Sequence, residues 1–142
     1  MQKQKENLSR CHCMNLRRAA NKATTVYDTY LKPSGLSISQ FSLLSHIKQL
    51  SPVSVSNLAK TMGLDRTTLV RNLKQLEKSE YIHDVSKGGR ERQLQLTETG
   101  THIYNKAFEN WQEAQTYFKQ IINEDQMEAF ENFLEKIILM EV

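Results

Sequence analysis

Apolar residues recur at steps of three and four along most of the chain, and this spacing places them on one face of an α-helix. The pattern predicts a helix over residues 8–31, which Pro33 and Gly35 end, and a second over residues 40–50, for which Ser39 is the expected N-cap. Two more helices with broad apolar faces are predicted between residue 98 and residue 142. The chain is therefore expected to be mainly helical.

Between these helices, residues 54–76 show the pattern of two short helices around Gly63. The inner apolar faces are predicted at Leu58, Ala59 and Met62 in the first helix and at Leu69, Val70, Leu73 and Leu76 in the second. Gly63 permits a tight turn, and Asp65 is placed to cap the second helix. This order of elements predicts a helix-turn-helix.

After Tyr81 the hydrophobic period changes to two residues. Ile82 and Val85 precede a polar tip at residues 86–91, and residues 93–97 then alternate between polar and apolar side chains. Alternation on both sides of a glycine-containing turn predicts a β-hairpin, or wing. The predicted fold class is mainly α with a small β wing: a winged helix-turn-helix with N- and C-terminal helices that form a dimerisation region.

The predicted organisation has three parts. Residues 1–35 form an N-terminal dimerisation helix, residues 36–100 a winged helix-turn-helix DNA-binding domain, and residues 101–142 C-terminal dimerisation helices. The terminal helices have wider apolar faces than a marginal appendage could bury alone. We therefore expect them to pair with each other and with a second subunit, which gives a homodimer.

Composition and charge narrow the classes of function. The 142 residues are 39% hydrophobic and 25% charged, which is typical of a helix-rich globular protein. No apolar run has the length of a membrane span, and the N-terminus lacks the apolar core of a secretory signal, so we expect a cytoplasmic protein with no membrane partner. Residues 1–50 carry eight Lys and Arg against two acidic residues, whereas residues 98–142 carry three against nine. The basic part suits a phosphate backbone, and the acidic end should face away from it.

Candidate DNA contacts lie on the outer side of the predicted helix-turn-helix. A helix that reads bases needs short or hydrogen-bonding side chains near its N-terminus, and such side chains occur at Arg66, Thr67, Thr68 and Arg71. Contacts to phosphates, which supply affinity and register, are expected from Ser54, Asn57, Lys60, Lys74 and Lys78.

The wing adds a second kind of DNA contact. Gly88 and Gly89 permit a tight tip, and Arg90 is placed to enter a minor groove, with Lys87 and Arg92 on either side. Each fragment alone also fits an ordinary solvated helix pair or an exposed turn. A hairpin that directly follows a helix-turn-helix is far more specific, so the combination predicts binding to double-stranded DNA.

The order of these motifs resembles the MarR family of winged helix-turn-helix transcriptional regulators over nearly the whole chain. Local matches are residues 36–41, the Leu and Thr pattern of residues 58–77, and Arg90 ahead of the Leu-Thr-x-x-Gly sequence at residues 96–100. The resemblance implies a homodimeric repressor on a pseudo-palindromic operator, with recognition helices in major grooves and wings in flanking minor grooves. Family members usually carry an aspartate two residues before that arginine, where this chain has Gly88.

The resemblance also implies a regulatory signal. Many family members bind small phenolic or lipophilic ligands between the dimerisation and DNA-binding regions, so a small-molecule effector is expected. Others respond to oxidants through a cysteine near the start of the first helix. Cys13 falls where the organic-hydroperoxide-sensing branch resembling OhrR has its reactive cysteine, and Cys11 is a second candidate. Tyr27 matches a tyrosine of that branch, whereas Arg17 and Ile38 replace others.

Several alternatives stay open at this stage. Cys13 also fits a small buried apolar residue at the dimer interface. A metal site at residues 11–13 is disfavoured because side chains two apart on a helix point to nearly opposite sides, and no cofactor is predicted. Catalysis is not predicted, since the sequence holds no phosphate loop, oxyanion loop or metal motif. A non-specific architectural DNA-binding protein and a protein-interaction module are the remaining rivals.

Overall fold

The computed structural model of the chain describes residues 5–89 and 91–142. Its elements are α1 (His12–Leu31), a 3₁₀ helix (Lys32–Ser34), α2 (Ile38–Leu50), β1 (Val53–Ser54), α3 (Val55–Met62), α4 (Arg66–Lys78), β2 (Ile82–Asp84), β3 (Gln93–Leu96), α5 (Glu98–Ile122) and α6 (Glu124–Ile138). The predicted fold class, mainly helical with a small β wing after a helix-turn-helix, is confirmed. Within this described part, no helix is long and apolar enough to cross a membrane.

The first helix begins later than the sequence pattern predicted, because the segment before His12 turns back along the helix. The side-chain oxygen of Asn15 accepts the backbone N–H of Ser9 at 2.8 Å, and its nitrogen donates to the Ser9 carbonyl oxygen at 2.9 Å. Arg18 donates to the carbonyl oxygen of Asn7 at 2.9 Å. These contacts satisfy backbone groups outside the helix, so the apolar period alone overestimated its length.

The second helix begins at Ile38 because Ser37, and not Ser39, is its N-cap. Ser37 Oγ accepts the N–H of Gln40 at 3.1 Å, and Gln40 Oε1 accepts the N–H of Ser37 at 2.9 Å. This reciprocal pair is a capping box. Asp28 of α1 accepts the N–H of Ile38 at 2.7 Å. The predicted cap at Ser39 was wrong because Ser37 has both the reciprocal glutamine and the support of α1 beside it.

The three strands form one antiparallel sheet in the order β1, β3, β2. The central strand β3 pairs through Leu96 with Ile82 on one side and through Leu94 with Val53 on the other. The sequence did not predict β1, since a strand of two residues is too short to show alternation. Because β1 leads directly into α3, the sheet joins the helix-turn-helix and the wing in one unit.

A single apolar core connects these elements. Its buried members are Leu31, Leu36, Phe41, Leu43, Leu44, Ile47, Val53, Val55, Leu58, Ala59, Leu69, Leu73, Leu76, Ile82, Leu94 and Ala107. On α5, the ring of Tyr104 stacks on Phe41 with centroids 5.2 Å apart, and the ring of Trp111 lies 5.7 Å from that of Phe41. The core therefore fixes the helix-turn-helix to the first half of the long helix.

The C-terminal helix is much less buried. Phe118 of α5 contacts Tyr27 of α1 and Phe130 of α6, with ring centroids 5.9 Å and 6.3 Å apart. No residue of α6 is buried. Four large apolar side chains on α6, here named the α6 apolar face, are exposed: Phe133, Leu134, Ile137 and Ile138.

Candidate nucleic-acid interface

The turn between α3 and α4 is specified by local chemistry. Gly63 ends α3 with a φ of 65°, a left-handed conformation that glycine adopts without strain. The N–H of Leu64 then donates to the carbonyl oxygen of Ala59 at 3.0 Å, and Asp65 accepts the N–H of Thr68 at 2.8 Å to begin α4. The predicted helix-turn-helix and the predicted cap at Asp65 are confirmed.

One side of α4 is held in the core, which leaves the opposite side open. Leu69, Leu73 and Leu76 are at most 1% exposed. The exposed side forms a shallow groove, here named the α4 groove, lined by Arg66, Thr67, Val70, Arg71 and Lys74. The structure therefore brings together four of the predicted DNA-contacting residues on one helical face, as their spacing requires.

Val70 belongs to this groove, although the sequence analysis placed it on the inner face. Its side chain is 36% exposed. Leu69, Leu73 and Leu76 complete the buried stripe without it, and Val70 is turned by about 100° from Leu69 around the helix axis. The spacing of these leucines was the signal that could have identified Val70. Its methyl groups offer an apolar contact of the kind that suits a thymine methyl group.

Two residues in the first turn of α4 are oriented by neighbours within the motif. Arg66 Nη1 donates to Ser56 Oγ of α3 at 2.9 Å, which leaves several of its five N–H donors for other contacts. Thr68 Oγ1 donates to Asp65 Oδ2 at 2.9 Å, so its hydroxyl is engaged in the cap of α4. Hydrogen bonds from the backbone N–H and then the hydroxyl of Thr68 hold the pKa of Asp65 below its ordinary value. The first turn of α4 is therefore capped by both the backbone and the side-chain hydrogen bonds of Thr68.

The predicted phosphate donors divide into two groups. Ser54 is 4% exposed, and its Oγ accepts the N–H of Asn57 at 3.1 Å as the N-cap of α3. Ser54 is thus corrected from a surface donor to a buried cap, because the first turn of α3 needs an acceptor there. The side chains of Asn57, Lys60, Lys74 and Lys78 are exposed on α3 and α4.

The wing differs in part from the prediction. Lys87 is exposed beside Gly88, which has a φ of 78°. Arg90, predicted to enter a minor groove, lies outside the described residues, as do residues 1–4 of the predicted N-terminal segment. Arg92, which follows Arg90 by two residues, forms an ion pair with Glu77 of α4 through its guanidinium.

The Leu-Thr-x-x-Gly sequence joins the recognition helix to the long helix. Thr97 caps α5 by accepting the N–H of Gly100 at 2.9 Å, and its hydroxyl donates to the carbonyl oxygen of Glu80 at 2.6 Å. A Cβ added to Gly100 would lie 1.9 Å from the carbonyl oxygen of Tyr81. Only glycine allows this approach, so the start of α5 is packed directly on the backbone that follows α4.

The two cysteines lie at the start of α1. Cys11 is the N-cap, Cys13 lies in the first turn, and both are exposed. Tyr27 is on the same helix, about 21 Å farther along its axis at 1.5 Å per residue, and its hydroxyl donates to Gln115 of α5. Tyr27 therefore does not contact Cys13 within one chain. Across residues 5–89 and 91–142, no group of three or more His, Cys, Asp and Glu side chains could hold a metal ion.

Comparison with known proteins agrees with this geometry. The sequence profile of the MarR family matches residues 36–85. The transcriptional regulator SarZ of Staphylococcus haemolyticus is 28% identical over 131 residues, which cover 92% of this chain and 89% of SarZ. SarZ of Staphylococcus epidermidis is 32% identical over 114 residues, which cover 78% of this chain and 77% of SarZ. The crystal structure of the transcriptional regulator MosR of M. tuberculosis has a TM-score of 0.75 and 30% identity, and the match covers 92% and 96% of the two chains.

A capped helix-turn-helix with an open basic groove, followed by a β wing, defines a winged helix-turn-helix DNA-binding protein. The sequence identity to SarZ and MosR extends over most of each chain, and it identifies the family to which this protein belongs. The chain belongs to the MarR family of transcriptional regulators. It is a DNA-binding regulator of transcription and not an enzyme.

Proposed function

We propose that this chain is a repressor that binds a pseudo-palindromic operator as a homodimer and is released by a small ligand or an oxidant. The observation that carries the proposal is the α4 groove, where Arg66, Arg71 and Lys74 lie beside Thr67 and Val70 on one open face. Cations beside a short hydroxyl and an apolar side chain suit both phosphates and base edges. Repression is proposed on the resemblance to the family.

The proposed division of contacts follows from position along the groove. Arg66, Thr67 and Arg71 lie nearest the N-terminus of α4 and are proposed to contact bases, with Thr68 holding the cap beside them. Lys74, near the other end, and Asn57 on α3 are proposed to contact phosphates. Lys87 and Arg90 in the wing are proposed to reach the adjacent minor groove. A structure of the regulator MosR in complex with DNA, at 29% identity and a TM-score of 0.73, supports DNA binding by this chain.

Dimerisation is proposed for residues 1–35 and 101–142, and DNA binding for residues 36–100. The support is the α6 apolar face together with exposed Met14 and Leu16 on α1. Exposed apolar side chains in such numbers are often covered by another protein surface. A second copy of the chain would also place two α4 grooves on one duplex, which is what a palindrome with half-sites about one helical turn apart requires.

Two triggers for release are proposed. A small aromatic or lipophilic effector is proposed on the resemblance to the family, whose members commonly bind such ligands between the dimerisation and DNA-binding regions. Exposed Cys11 and Cys13 are accessible to a hydroperoxide, which would transfer one oxygen atom to a thiolate and leave as an alcohol. Burial of Cys13 at a dimer interface is the alternative that the same experiment tests.

The test is selection of the purified protein against random duplexes, followed by binding of the enriched duplex with and without organic hydroperoxide. We expect the enriched duplex to be palindromic, its binding to be lost after oxidation, and a reducing agent to restore that binding. The double variant Cys11→Ser/Cys13→Ser should bind the duplex but no longer respond to oxidant. If oxidant does not change binding of the enriched palindrome, the small ligand remains as the proposed trigger of release. Uniform affinity for unrelated duplexes with a steep salt dependence would contradict the proposal and indicate an architectural DNA-binding protein.

A further inference from the structure

We propose that Arg92 is a positioning residue for DNA binding, which holds the wing against the end of the recognition helix α4 through Glu77 and Asp84. Arg92 is the residue immediately before β3, Glu77 lies in the last turn of α4, and Asp84 ends β2. One guanidinium therefore bridges the helix that lines the α4 groove and both arms of the wing.

The contacts of Arg92 define this bridge. Its Nη2 donates to Glu77 Oε1, and its Nε lies 3.9 Å from Asp84 Oδ2. The planar fork of arginine can face two carboxylates at once from different edges, whereas a lysine ammonium cannot reproduce that geometry. The guanidinium is thereby paired on both sides with carboxylates of its own chain.

The second carboxylate also closes the base of the wing. Asp84 Oδ1 accepts the N–H of Ser86 at 2.8 Å and the N–H of Gln93 at 3.0 Å, and Val85 donates to the Gln93 carbonyl oxygen at 2.8 Å. These hydrogen bonds cross the hairpin just before its tip. Arg92 thus connects an already closed hairpin base to α4.

The wing needs such a brace because its regular pairing is short. Regular pairing of β2 with β3 spans Ile82, His83 and Asp84, and the tip that follows contains Gly88 and Gly89. Glycines in a tip add conformational freedom that must be lost when the wing binds DNA. A link between the hairpin base and α4 restricts the positions that the tip can occupy relative to the α4 groove.

Positioning and direct contact predict opposite effects of removing Glu77. If Arg92 contacted a phosphate directly, Glu77→Gln would release the Arg92 guanidinium from its ion pair and remove a negative charge near the DNA. DNA would then bind more tightly. If Arg92 positions the wing, Glu77→Gln weakens specific binding in spite of the more favourable net charge. Both side chains of the pair are partly exposed, so the stability of the fold should change little in either case.

The experiment compares Arg92→Gln, Glu77→Gln, the double variant and the control Glu80→Gln. Glu80 lies just beyond the same end of α4, is exposed, and contacts Thr97 through its backbone carbonyl oxygen, which the substitution keeps. The measurements are amide hydrogen exchange of residues 82–96 in the free protein, affinity for the selected duplex and for a random duplex at several salt concentrations, and the thermal unfolding midpoint.

We expect Arg92→Gln and Glu77→Gln to accelerate exchange in the wing and to weaken binding of the selected duplex by about 2- to 10-fold, with the double variant no worse than either single one. Glu80→Gln should do neither. Unchanged exchange in both single variants would overturn the proposal, whether or not an operator is found. Tighter binding by Glu77→Gln, with a smaller salt dependence for Arg92→Gln, would overturn it in favour of direct phosphate contact.

Discussion

Residues 36–100 and helix α6 differ in how far their apolar side chains are buried. In the first region, α2, α3, α4 and the sheet all contribute buried residues to one core, and the helices begin at side-chain caps such as Ser37 and Asp65. In α6 no residue is buried, and Phe133 and Ile138 are 62% and 78% exposed.

This difference separates the apolar surface that one chain buries from the apolar surface that the proposed dimer would cover. Residues 36–100 bury their apolar side chains within one chain, with help from α1 and α5, so the α4 groove is formed without a second molecule. The α6 apolar face gains its stabilisation only when another surface removes it from water. Folding of the first region and function of the second should therefore respond to different substitutions.

The largest effect is expected at Gly100, where α5 leaves the DNA-binding region. Gly100→Ala places a Cβ 1.9 Å from the Tyr81 carbonyl oxygen, and backbone must move to accommodate it. We expect a loss of about 4 kcal/mol or more in the free energy of unfolding, measured by denaturant titration. Gly89→Ala is the control, since its nearest atom is 4.0 Å away. Equal stability of the two variants would show that this contact is not tight.

A second test separates the two kinds of apolar residue. Leu73 is 1% exposed, and Leu73→Ala should cost about 2–5 kcal/mol through lost burial and a residual cavity. Ile138→Ala should cost about 0.5 kcal/mol or less at protein concentrations where the chain is monomeric. The measurement is chemical unfolding followed by circular dichroism. Similar losses for both variants would remove the distinction between the core and α6.

A third test asks what covers the α6 apolar face. Phe133→Ser/Ile137→Ser should raise the dimer dissociation constant about 100-fold or more, because two apolar side chains lose burial worth about 1.5–3 kcal/mol each. Sedimentation velocity over a concentration series measures the shift. Gln126→Ser, at an exposed polar position of the same helix, should leave self-association unchanged. An unaltered dimer in the double variant would place the interface elsewhere.

Within the α4 groove, position should decide the kind of contact. Arg71→Ala should weaken specific binding by about 1–3 kcal/mol and relax base preference, whereas Lys74→Ala should weaken all duplexes alike and reduce the salt slope by about one. Titrations of selected and random duplexes at several salt concentrations separate the two. The same loss on both duplexes for both variants would contradict this division of the groove.

The smallest effect is expected from acid. Hydrogen bonds, chiefly from the backbone N–H groups of Thr68 and Ser86, lower the pKa values of Asp65 and Asp84. Their stabilisation is fully present above the ordinary aspartate pKa of about 4 and is lost as the pH falls through the lower folded values. The thermal unfolding midpoint should therefore decrease as the pH is lowered from about 4. Asp65→Asn/Asp84→Asn should flatten that decrease, and an equally steep decrease in this double variant would contradict the prediction.

Local chemistry was sufficient to predict much of this protein from its sequence. The helical period, the left-handed glycine at Gly63 and the cap at Asp65 depend on residues within four or five positions of one another, so they were predicted correctly. The wing also followed from its period of two and its glycines, and Arg66, Thr67, Arg71 and Lys74 were gathered on one face because helical spacing alone places them there.

The tertiary structure decided what depends on residues distant in sequence. Asp28 supports the cap of α2 at Ser37, burial of the leucine stripe turns Val70 outward, and folding pairs Arg92 of the wing with Glu77 of α4. Each outcome depends on which side chains meet in space after the chain has packed, and a local pattern does not contain those distances. The sequence alone determined the helix-turn-helix and the wing through local spacing, whereas packing determined β1, the exact helix ends and which side chains remain free to meet DNA.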